Sequence, residues 1–148
     1  MVRQHEEQLA TTAGAAAAPA PVAAPAYAQY KSAFAGRRMP FAYVDLDLLD
    51  ANVREAVARA AGKYVRVASK SVRSVAILRR ILDSSPSIQG LMCFTAPEAV
   101  WLAAQGFDDL LIGYPCFHEQ DIADVARATA GGAHITLMVD NIAHFERI

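Results

Sequence analysis

Lys70 closes the run Tyr64-Val65-Arg66-Val67-Ala68-Ser69-Lys70 and is followed by Ser71-Val72-Arg73-Ser74. The aliphatic residues predict a strand, and side chains alternate between the two faces of a strand. Val65, Val67 and Ser69 therefore share one face, while Arg66, Ala68 and Lys70 share the other. If the aliphatic face packs under helices, the Lys70 amine looks into whatever the other face encloses. A lysine amine withdrawn from water gives up its proton more readily and can then attack a carbonyl or an aldehyde cofactor, which is Schiff-base chemistry. Arg66 on the same strand face and Arg73 near the next helix would add like-charge repulsion. The same spacing also accommodates an ordinary solvated lysine after a strand, since perturbed lysines are the minority.

Other candidates carry two readings each. Tyr114, in Gly113-Tyr114-Pro115, can wall a cofactor pocket or serve as a half-buried rim aromatic. Asp140 closes the run Ile135–Val139 and can act at a site or cap a helix beginning at Ile142. Asp45 and Asp47 form a metal pair only if the strand before them continues. Otherwise Asp47 caps a helix and Asp45 makes a structural hydrogen bond. His118, His134 and His144 lack metal-ligand spacing, so no metal site is expected. Cys93 and Cys116 match no zinc pattern and read as reduced core thiols.

The elements that must position these residues alternate strand with helix from residue 40 onward. Phe41–Val44, Val65–Ser69, Leu91–Phe94, Leu110–Ile112 and Ile135–Val139 read as strands. Leu49, Val53, Val57 and Ala60 recur on one helical face that Gly62 would end, and Val75, Leu78 and Leu82 form the stripe of a second helix. Thr95-Ala96-Pro97-Glu98 has the hydroxyl-to-glutamate spacing of a capping box, with Trp101 and Leu102 expected to pack that helix down. A further helix carries Ile122, Val125 and Ala126, and another begins at Ile142. Strand ends near Lys70, Phe94, Tyr114 and Asp140 should line one rim of a parallel sheet, the rim that carries chemistry in α/β folds.

With a net charge of −1 and interspersed signs, nothing points to nucleic acid. The first thirty residues differ in kind. Ala13–Ala28 is an alanine and proline tract broken by Pro19, Pro21 and Pro25, and residues 1–30 are expected to form a disordered extension ahead of a domain over residues 31–148. The start is acidic where a secretory leader is basic, and no stretch is apolar enough for a membrane span. With reduced cysteines, these features give a cytoplasmic expectation.

Several separated segments occur in an order that carries a resemblance. Pro40-Phe41-Ala42-Tyr43-Val44-Asp45-Leu46-Asp47-Leu48-Leu49-Asp50-Ala51-Asn52-Val53 precedes Arg66-Val67-Ala68-Ser69-Lys70-Ser71. Gly90-Leu91-Met92-Cys93-Phe94-Thr95, Glu98-Ala99-Val100-Trp101-Leu102 and Gly106-Phe107-Asp108-Asp109-Leu110-Leu111-Ile112 follow. Over residues 38–148 the chain resembles the fold-type III pyridoxal-phosphate enzymes of the alanine racemase N-terminal-domain family, within it the D-threonine aldolase and amino acid deaminase/aldolase branch.

The resemblance implies an α/β fold that is part of a (β/α)8 TIM barrel. It also implies pyridoxal 5′-phosphate joined to Lys70 as an internal aldimine, an amino-acid substrate, and a homodimer for the full-length enzyme. It places Asp140 beside the cofactor through likeness to the aspartate of the family's V-D-S/N strand, and Tyr114, from its rim position, joins it as a cofactor-binding candidate. A complete barrel needs about 200 residues or more, so roughly the first four βα units of a truncated barrel are expected here. Two alternatives stand beside this reading. One is a pyridoxal-phosphate-binding homeostasis protein of the same fold, and the other is a non-catalytic half-barrel that pairs its edges with another polypeptide.

Overall fold

The computed structural model describes residues 23–148, which divide into two compact units, one ending at Gly62 and the other spanning Lys63–Ile148. In the first, α1 (Tyr27–Ala33) and α2 (Leu46–Arg59) are joined by a segment whose aromatic residues turn back onto α1. Phe34 packs against Phe41 and Tyr43 with ring centroids 4.9 and 4.5 Å apart, and Tyr30 lies 5.4 Å from Tyr43. Phe41–Val44, expected as a strand, is therefore extended chain without ladder partners, because its aromatic side chains are taken up by the helix before it.

Asp45, not Asp47, is the N-cap of α2. Its Oδ1 accepts the Leu48 N–H at 3.1 Å, while Asp47 sits in the first turn, where a carboxylate complements the helix dipole. Asp45 Oδ2 also accepts the Tyr30 hydroxyl at 2.7 Å. The expected stripe of α2 is present, with Leu49, Val53, Val57 and Ala60 all half-buried, and Gly62 follows it at φ +83°, a conformation that favours glycine. The expected N-terminal extension lies outside the described residues through residue 22, and its last residues, Tyr27–Tyr30, belong to α1.

The second unit is a mixed α/β structure. Its four strands, β1 (Val65–Ala68), β2 (Ile88–Cys93), β3 (Leu110–Ile112) and β4 (Ile135–Leu137), are all parallel and lie in the order β1-β2-β3-β4. Between and after them come α3 (Val75–Asp83), α4 (Ala96–Ala104), α5 (Glu119–Ala130) and α6 (Ile142–Arg147). Sequential order with no reversal is what one-handed crossovers produce when every helix returns on the same side, and it matches a partial α/β barrel. The buried residues agree. Leu91, Cys93, Leu110 and Ile112 meet Leu78 of α3, Ala96, Ala99 and Leu102 of α4, and Val125 of α5 in one core.

On the other strand face stand Arg66, Ala68, Gly90, Met92, Leu111 and Thr136. Trp101, expected to pack inward beside Leu102, is 52 % exposed, because Ala99 and Leu102 already fill the core-facing stripe of α4. β4 stops at Leu137 rather than Val139, and β2 begins at Ile88, three residues earlier than the aliphatic run at Leu91 suggested. Among the described residues no helix is long and apolar enough to cross a membrane.

Gly90 has φ +64°, and a Cβ there would overlap both the Asp109 carbonyl oxygen and the Arg66 guanidinium. Gly90→Ala is expected to cost roughly 2–4 kcal/mol through backbone strain and steric overlap, read as a lower midpoint at unchanged slope in urea unfolding. A second expectation concerns the α2 cap. The carboxylate beside it pushes the Tyr30 phenol up to about 12, while the Leu48 N–H and then the Tyr30 hydroxyl hold the Asp45 carboxyl below its usual range. Asp45→Asn should return Tyr30 toward about 10 in an ultraviolet titration. The carboxylate's stabilisation of the cap is complete above the ordinary aspartate pKa and is lost as pH falls through the lower folded-state value. Helical circular dichroism followed into acid should show that loss in the parent and not in Asp45→Asn.

Candidate functional site

Lys70 lies in a short 3₁₀ turn, Ser69–Ser71, at the C-terminal end of β1. The turn is fixed from inside, since the Ser69 carbonyl accepts the N–H groups of Val72 and Arg73 at 3.0 and 2.9 Å. Arg73 adopts φ +49°, uncommon for a residue with a side chain, and its Nε donates to the Lys70 carbonyl at 3.0 Å. The backbone on both sides of the amine-bearing residue is thereby set before the Lys70 side chain makes any contact.

That side chain reaches along the rim past the end of β2 to the end of β3. Lys70 Nζ donates to the Tyr114 hydroxyl at 2.9 Å, and lies 5.2 Å from the Tyr114 ring centroid and 5.6 Å from that of Phe94. The two rings meet edge to face, 5.4 Å apart at 85°. An ammonium near two aromatic rings gains electrostatic attraction from each, on the order of 0.5–1 kcal/mol when exposed. The result is a primary amine on the solvent-facing rim, held by a phenol and flanked by two aromatic rings.

The other strand face carries the support. Ser69 is 1 % exposed, and its Oγ lies 2.9 Å from Glu98 Oε1 and 3.2 Å from the Met92 carbonyl oxygen. Glu98 Oε2 accepts the Phe94 N–H at 2.6 Å, while Thr95, the N-cap of α4, accepts the Glu98 N–H. The expected capping residues are thus present, but the glutamate reaches one residue beyond the N-cap and across to the turn that follows β1.

Lys70 and Tyr114 meet at the rim; Asp140 makes no hydrogen bond to either. Its Oδ1 accepts from the Asn141 amide at 2.9 Å and lies 3.8 Å from His144 Nδ1. Asn141, rather than Asp140, caps α6 by accepting the His144 N–H at 2.8 Å. Arg66, expected to repel Lys70, is instead paired with the Asp109 carboxylate at 2.8 and 2.9 Å. Among the described residues no three histidine, cysteine or acidic side chains are grouped to hold a metal ion.

No family model matches the chain, and no curated protein matches it. The reading of the site rests on its residues. Sequence reasoning did not assign Phe94 to the wall or give Glu98 any role beyond capping. The available signal was position: Phe94 follows the end of β2 as Tyr114 follows β3, and a capping glutamate has a second carboxylate oxygen to spare. His144 was also passed over as a structural residue. It is fully buried, with Nε2 2.7 Å from the Cys116 carbonyl and its ring 4.4 Å from that of Phe117, tying α6 to the segment before α5.

Cys93 lies behind this wall, and burial, followed by the nearby Glu98 charge, pushes its thiol up to about 11. Only the thiolate reacts readily, so native protein treated with an alkylating reagent near neutral pH should be labelled at half-buried Cys116 and spared at Cys93. Peptide mass mapping before and after denaturation checks this. Labelling of Cys93 at the rate of Cys116 in folded protein would show that its burial is transient.

Proposed function

We propose that Lys70 is the amine through which this protein holds pyridoxal 5′-phosphate and acts on amino acids, in the manner of the racemases, aldolases and deaminases that the sequence resembles. The observation that carries the reading is the placement of Nζ, 2.9 Å from the Tyr114 hydroxyl and beside two aromatic rings at the C-terminal rim of parallel strands. That rim is where α/β proteins carry their chemistry. The sequential strand order suits a TIM barrel for the second unit; the alanine racemase type, a cytoplasmic setting and a homodimer of the full-length enzyme belong to the proposal through the sequence resemblance alone.

The residues present suit part of the cofactor. Phe94 and Tyr114 would flank the cofactor ring, and the Lys70 amine would be the group that meets its aldehyde. When bound, the cofactor supplies an electron sink for charge developing on an amino-acid carbon. The chain's own groups orient the amine. The Tyr114 hydroxyl accepts from the Lys70 ammonium and, once that proton has passed to solvent, can donate to the neutral nitrogen, so Nζ keeps a hydrogen-bond partner in both states. The turn held by Ser69 and Arg73 fixes where the lysine stem begins.

Borohydride treatment of the protein incubated with pyridoxal phosphate should fix a pyridoxyl group on Lys70, located by peptide mass spectrometry, and the yellow colour should disappear with it. Lys70→Ala should abolish both colour and label. A label on Lys31 or Lys63, or one that survives in Lys70→Ala, would overturn the assignment.

A further inference from the structure

We propose that Glu98 is the positioning residue of the lysine site, acting from the opposite face of the sheet. Its carboxylate touches neither Lys70 nor Tyr114. Instead its two oxygens are divided between the residue before the lysine and the residue that walls it: Oε1 is 2.9 Å from Ser69 Oγ, and Oε2 is 2.6 Å from the Phe94 nitrogen. The contacts close into a ring. Glu98 holds Ser69, Ser69 carries Lys70, Lys70 bonds Tyr114, Tyr114 packs on Phe94, and the Phe94 N–H returns to Glu98.

Such a ring needs one rigid member, and Glu98 is mounted on it. It occupies the first turn of α4, between Ala96 and Ala99, which are 2 % and 0 % exposed. A carboxylate has acceptor capacity for both donors at once, and charge-assisted hydrogen bonds are about twice as strong as neutral ones. Helix capping alone requires only the Phe94 or Thr95 amide. The bond to Ser69, in the turn that follows β1, is what capping does not explain.

The role of this ring in chemistry rests on the function proposed above, but its geometry has a signature that needs no cofactor. Reductive methylation of the full chain with ¹³C-formaldehyde converts each lysine to a dimethylamine that still keeps one N–H for Tyr114 when protonated. The methyl signals of Lys70, assigned by their loss in Lys70→Arg, should be displaced by the ring currents of Phe94 and Tyr114 relative to those of Lys31 and Lys63. Glu98→Ala should lose most of that displacement. Glu98→Gln should keep it, because the amide oxygen accepts from Phe94 while its NH₂ donates to Ser69 Oγ, which turns its own proton to the Met92 carbonyl.

Thr95→Ala separates positioning from capping, since it weakens the start of α4 without touching Ser69, and it should leave the displacement in place. If Glu98→Ala fails to fold, Ser69→Ala takes its place, deleting one buried oxygen and predicting the same direction of change. An undiminished displacement in Glu98→Ala or, should that variant not fold, in Ser69→Ala would overturn the proposal. An equal loss in Thr95→Ala would also overturn it. A wild-type displacement that responds as expected, together with no pyridoxyl label on Lys70, would sink the function and leave the positioning role standing.

Discussion

The close approach of α4 to the middle of the sheet is the constraint on which the rest of the second unit depends. Ala96 and Ala99 present only methyl groups to the strands, and Leu102 fills the space that they leave. Leu91 and Leu110 beneath them are fully buried. With small residues at the contact, the helix backbone comes near enough for a side chain of its first turn to reach past the end of β2 to the turn that follows β1. A bulkier residue at either alanine would lift the helix start from the sheet, since close-packed cores yield to added volume only by displacing the chain.

Division of labour between the two strand faces follows from this packing. One face is aliphatic and pays for ordering the chain; the other holds Arg66, Ala68, Met92, Leu111 and Thr136, a mixture that contributes less to burial. Residues just beyond the strands inherit the alternation. Ser69 turns into the helix layer and becomes a buried anchor, and Lys70 turns to the opposite side, where polar chemistry carries no penalty to the core. Adjacent positions in the chain therefore separate support from reactivity across the thickness of one sheet.

The βα pattern was legible because it is written in local signals: the period of Leu49, Val53 and Val57, the Thr95 cap, and the short aliphatic runs at Leu110 and Ile135. Lys70 and Tyr114 were legible as rim residues for the same reason, since each follows such a run. The failures arose where a longer-range partner decided the outcome. Phe41–Val44 has the composition of a strand, but the rings of α1 claim its aromatic residues. Trp101 has the hydrophobicity of a core residue, but its angle on α4 points it outward. Asp45 displaced Asp47 as the cap because it lies at the true boundary of the helix, where its backbone is extended. The second oxygen of Glu98 found Ser69 through a contact between βα units that no window of sequence reveals.

The ion pair between Arg66 and Asp109 joins β1 to the residue preceding β3, with the bare backbone of Gly90 on β2 lying between them. Because it is partly exposed, its contribution to stability is small. Its value lies in alignment. A one-residue slip of β2 would bring Gln89 or Leu91 into the gap, closing it with a side chain and parting the charges. The same slip would turn the buried aliphatic row away from the helices. A bridge of little strength thus acts as a key that admits one register of three strands, and the registration of the lysine against its aromatic wall follows from the strand alignment that this key selects.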